Sequence, residues 1–66
     1  PFVDAAASET RRYAGDLVVE IRAAEGAERN AARKRMEATL RAAEGLLPAD
    51  EIALLKERAN AAAVSA

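Results

Sequence analysis

The sequence predicts an all-α protein, a small bundle of about three helices. Apolar residues recur every three or four positions along most of the chain, which places them on one face of a helix. The segment Gly45-Leu46-Leu47-Pro48 interrupts that pattern with a residue that ends helices and one that cannot continue them. No strand pattern appears among the 66 residues. They read as a single helical domain, 1–66, with helices near 5–25, 30–44 and 49–63.

The first helix carries Ala14, Leu17, Ile21 and Ala24 as its apolar stripe, widened by Val18. Asp4 is its expected N-cap, because a carboxylate there accepts from the free N–H groups of the first turn. Phe2 and Val3 would fold back on that turn as a hydrophobic staple. Gly15 marks an expected close approach of another helix, and Tyr13 a half-buried packing position with its hydroxyl in water.

The second helix presents Ala32, Met36, Leu40, Ala43 and Leu47. Gly45 is its expected C′ residue, where glycine adopts a positive φ without steric cost. Pro48 suits the first turn of the third helix. Asp50 and Glu51 lie near the positive end of that helix, where acids are favoured. Ile52, Leu55, Ala59 and Ala62 form the third stripe, with Leu54 beside them. The tail from Ala61 to Ala66 extends this helix and frays.

Gly26 decides between two architectures. Arg-Ala-Ala-Glu-Gly occurs at 22–26 and again at 41–45. If the second copy ends a helix, so does the first, with Asn30 as a new cap. The alternative is a long helical hairpin with a kink near Gly26, supported by an i,i+4 pair of Glu25 and Arg29. Phase favours the break: at 100° per residue Met36 falls ~60° and Leu40 ~100° off the face of Ile21. The two stripes do not make one seam.

Composition limits the core. Hydrophobic residues are 52% of the chain, but 19 of those 34 are alanine. Small domains with thin cores need staples. With no cysteine there is no disulfide, and without histidine or cysteine a structural zinc is disfavoured. The remaining staple is another protein surface. The expected partner is therefore the chain itself, as a homo-oligomer, or another protein. The expected core is Leu17, Val18, Ile21, Met36, Leu40, Leu47, Ile52 and Leu55. Exposed stripe residues such as Val19 and Leu54 are the expected candidates for an intermolecular seam.

Catalysis has little to work with, and the chain is expected not to be an enzyme. General acid–base work would fall to carboxylates, Lys34, Lys56 or Tyr13. The other hydroxyls sit in no nucleophile motif, and the glycines form no phosphate-cradling loop. The close carboxylate groupings, Glu25/Glu28 and Asp50/Glu51, lack the histidines of a bundle-core metal site. No cofactor or metal is expected. Pro1-Phe2-Val3 with Arg11 superficially resembles the opening of the tautomerase superfamily, whose N-terminal proline is a catalytic base. That fold opens on a β-strand, whereas Asp4-Ala5-Ala6-Ala7 turns helical, so its sites are not carried over.

Net charge is −1, which gives no global attraction to nucleic acid or an anionic membrane. The charge is segregated, however: net −2 over residues 1–26, +2 over 27–45 and −1 over 46–66. Arg29, Arg33, Lys34 and Arg35 make the one local basic patch, a candidate for contacting phosphates or a partner. Aromatic residues for base stacking are absent from it, so nucleic acid is disfavoured. Acidic and basic helices pairing within or between bundles use the same segregation. No apolar run approaches the ~20 residues of a membrane span, and no basic-then-apolar leader is present. A cytoplasmic location is expected. Abundant Ala and Arg point by association to a GC-rich bacterial or phage genome.

These readings converge on a non-catalytic protein–protein interaction or oligomerisation module. The alternatives are a structural subunit or scaffold of a larger assembly, such as a filament or capsid, and a nucleic-acid-binding accessory protein using residues 29–35.

Overall fold

The computed structural model describes the backbone of residues 2–64 and the side chains of residues 4–64. Three helices fill it: α1 (Phe2–Ala23), α2 (Gly26–Ala43) and α3 (Ala49–Val64). Pro1, the staple side chains of Phe2 and Val3, and the tail residues Ser65 and Ala66 lie outside the described residues.

The chain reverses at each junction. Arg11, midway along α1, reaches Glu51 at the start of α3, and Ile21 and Ala63, near the ends of the two helices, share Arg29, so α1 and α3 run in the same direction. Arg29, early in α2, bonds to carbonyls near the ends of both α1 and α3, so α2 runs the opposite way. The buried set follows the three predicted stripes: Ala14, Leu17 and Ile21 from α1, Ala32, Met36, Leu40 and Ala43 from α2, then Leu47, then Ile52, Leu55, Ala59 and Ala62 from α3. Ala7 extends it toward the start of α1, and Val18 sits half-buried at its margin rather than within it. Ile21 is fully enclosed.

The boundaries correct the sequence reading in four places. First, α1 begins at Phe2, and Asp4 lies inside its first turn. There the carboxylate faces the positive helix end without capping it.

Second, α2 begins at Gly26, not near residue 30, and Asn30 is interior. Only Ala24 and Glu25 link α1 to α2. Glu25 is extended (φ −135, ψ 154), and its carbonyl accepts from the N–H groups of Glu28 (3.2 Å) and Arg29 (3.4 Å). Its backbone therefore starts the helix, with no side-chain cap.

Third, the left-handed glycine is Gly26, at φ +56, not Gly45. The end of α2 tightens instead. Glu44 donates to Arg41 O (3.3 Å), while Leu46 and Leu47 both donate to Ala43 O (2.8 Å each). Leu47 is buried and Leu46 packs against the core, and this burial keeps the turn right-handed. The Pro48 carbonyl then accepts from Glu51 and Ile52 (3.1 Å each). Proline thus stands just before α3 rather than in its first turn.

Fourth, Gly15 is no crossing point. It is exposed, and a Cβ built there meets nothing within 4 Å.

The two helical glycines should respond oppositely to alanine. Gly15→Ala should raise stability by about 0.5–1 kcal/mol, the intrinsic glycine penalty within a helix. Gly26→Ala should cost about 1–2 kcal/mol, because its left-handed φ crowds a Cβ against the following carbonyl. Urea unfolding followed by circular dichroism reads both.

Candidate interaction surface

The three helix pairs are unequally closed. α1 packs most extensively on α2, and α2 least on α3. A groove of about 310 Å³ follows, with Ile21, Met36, Leu40 and Ala59 at its base. Its α2 bank carries Arg33, Glu37, Arg41 and Glu44, and its α3 bank Lys56 and Asn60. Past Glu44 and Lys56 it continues into a second hollow of about 380 Å³ over Leu47 and Ile52. The base residues are already tightly packed, Met36 at 2% and Leu40 at 4% exposed. An occupant would meet mainly the charged banks.

The other two seams are bridged by ion pairs. Arg35 pairs with Glu20 across α1 and α2. Arg11 donates to Glu51 through Nε (2.6 Å) and Nη2 (3.1 Å) across α1 and α3. These hydrogen bonds hold the Glu51 carboxyl below the ordinary carboxylate range and raise the Arg11 guanidinium. Because the folded form is the more acidic, the pair's contribution is present above the unfolded carboxylate pKa. It is lost as pH falls through the folded pKa. Denaturant midpoints measured across the acidic range should therefore fall less steeply in Glu51→Gln than in the parent. Arg11 is exposed and Glu51 partly so, so added salt should shrink the difference.

The predicted basic patch is divided between roles. Arg29 turns inward: its Nε donates to Ile21 O (3.1 Å) and its Nη1 to Ala63 O (2.9 Å). Its Nη2 is buried without a hydrogen-bond partner. Arg35 is tied to Glu20. Arg33 and Lys34 are exposed and, among the described residues, form no ion pair. The proposed Glu25–Arg29 pair does not form.

The inward role of Arg29 was missed from sequence, although one signal for it existed. A cation in the first turn of α2 opposes that helix's own dipole. Gly26, three residues earlier, brings that turn beside the last turn of α1, whose carbonyls lack helical partners.

Val19 and Leu54 are exposed at 65% and 44%. They stand ~155° and ~120° from the buried direction of their helices at 100° per residue. Both therefore point away from the core and are accessible. Tyr13 is about half exposed, at 49%. The Thr10 and Thr39 hydroxyls donate to the carbonyls of Ala6 (2.9 Å) and Arg35 (2.7 Å) one turn back. Among the described residues no helix is long and apolar enough to cross a membrane, and no three His, Cys, Asp or Glu side chains gather as a metal-binding group.

Comparison with protein-family models, with curated proteins and with solved structures returns no match. The functional reading therefore rests on this surface.

Proposed function

We propose that the chain is a non-catalytic interaction module that associates with a protein surface through helix–helix packing, most simply with further copies of itself. One observation carries this reading: the bundle leaves the α2–α3 seam open along its length. The α1–α2 and α1–α3 contacts are bridged by ion pairs, the former beside a hollow of about 290 Å³ at Ala24 and Ala31, while the α2–α3 contact keeps a groove that no ion pair among the described residues crosses. The core supports it, since six of its thirteen buried residues are alanine. Such a core gains from burial against a second surface.

Sedimentation of the purified chain across concentration tests the reading. The expected result is a mass above 7.0 kDa that grows with concentration and reaches a defined limit. A folded monomer throughout would reject self-association. A mass that climbs without limit would favour the structural-subunit form, in which the contact does not close. The nucleic-acid reading is weaker, because Arg29 and Arg35 have intramolecular partners. An absence of affinity at low salt would end it.

A further inference from the structure

We infer that the α2–α3 groove is the face on which a second copy of this chain docks, with the two α2 helices antiparallel. The inference rests on the reading of the chain as an association module and adds the occupant and its orientation. Arg33, Glu37, Arg41 and Glu44 follow one another along one bank of the groove. All four are exposed. Among the described residues none of them makes an ion pair, although Glu20, Arg35, Arg11 and Glu51 on the other seams do.

The signs in this row alternate, and the order is antisymmetric about its centre near Thr39. A two-fold axis there sets Arg33 of one copy opposite Glu44 of the other, and Glu37 opposite Arg41. Each pairing then occurs twice, as an isologous contact requires. Exposed Lys34, next to Arg33, also comes opposite the partner's Glu44. A parallel dimer in register would put every charge opposite its own kind, which is repulsive. A parallel arrangement offset by one step also matches signs, but it leaves an end charge of each row unmatched. It is also heterologous and grows without closing. The antiparallel dimer is the arrangement that satisfies all four charges and stops at two.

The test uses two variants of the full chain. Arg33→Glu with Arg41→Glu makes the row wholly acidic, and Glu37→Lys with Glu44→Lys makes it wholly basic. The parent should sediment at twice the 7.0 kDa chain mass and dissociate as salt is raised. Each variant alone should weaken self-association by about tenfold or more. An equimolar mixture of the two should recover a dimer containing one of each. Far-UV circular dichroism shows whether each variant keeps its helices. A third variant, Val19→Ser with Leu54→Ser, keeps the row intact and should dimerise like the parent.

If both charge variants self-associate like the parent, or if only the Val19/Leu54 variant dissociates, the groove is not the face, while the association reading stands. A parent that polymerises overturns the closed antiparallel dimer. A parent that stays monomeric overturns both the inference and self-association.

Discussion

Leu40→Ala is expected to cost about 2–5 kcal/mol of folding stability, the range for large-to-small changes at buried leucines. Leu40 is 4% exposed and lies at the centre of the α2 stripe, among a core with few other large side chains. At 0.05–0.15 kcal/mol per residue, a chain of this size has about 3–10 kcal/mol in total. The substitution therefore removes a large share and unfolds much of the population at the low end of that range. Leu54→Ala is the matched comparison: the same atoms are deleted from a position 44% exposed. Its loss should stay within about 0.5 kcal/mol, as for surface changes away from special features. Urea midpoints followed by circular dichroism give both numbers. A loss below half a kcal/mol at Leu40 would remove it from the core.

Arg29→Met is expected to cost about 1.5–3 kcal/mol, the contribution of a hydrogen bond with a charged partner. Methionine keeps an apolar stem of similar reach while removing the donors. The guanidinium serves two carbonyls, Ile21 O near the end of α1 and Ala63 O near the end of α3. Both lie in last turns, where carbonyls lack intrahelical partners and a cation is favoured by the dipole. Two bonds would suggest a larger loss. The unpartnered Nη2 offsets part of it, since a buried donor without an acceptor carries its own desolvation cost. Arg29→Lys tests the geometry, because a compact ammonium does not reproduce the planar fork that spans two carbonyls. It should recover less than half of the loss. Recovery to the parent value would show that charge alone, not the fork, ties the helix ends together.

The fold class and the buried stripes were legible because they depend on spacing alone. Ala14, Leu17 and Ile21, Ala32 through Ala43, and Ile52 through Ala62 are periodic whatever the helices pack against. What failed depended on local backbone state or on distant neighbours. Gly26 and Gly45 follow the same four residues, yet only Gly26 has a positive φ. Leu46 and Leu47 bury their side chains after Gly45 and hold the turn right-handed, whereas Ala27 and exposed Glu28 offer no such anchor after Gly26. Arg29 read as a member of a basic cluster because its acceptors lie 8 and 34 residues away. Val19 and Leu54 were correctly read as exposed, because exposure follows from phase within one helix, whereas the way two helices face one another does not. The α2–α3 groove was invisible for the same reason, since it records how unequally three similar helices close on one another.

The two-residue link between α1 and α2 has a kinetic consequence. A helical hairpin closed by so short a connection forms its contacts early, because little chain entropy is lost in bringing the arms together. α1 and α2 supply eight of the thirteen buried residues, so the hairpin assembles most of the core before α3 docks. α3 packs on this hairpin about as extensively as the two arms pack on each other, but it divides that contact between two helices and can make it only once both arms are in place. The rate-limiting step should therefore be read out at Ile21, Met36 and Leu40, whose truncation slows folding. Changes at Ile52 or Leu55 should instead act chiefly by speeding unfolding.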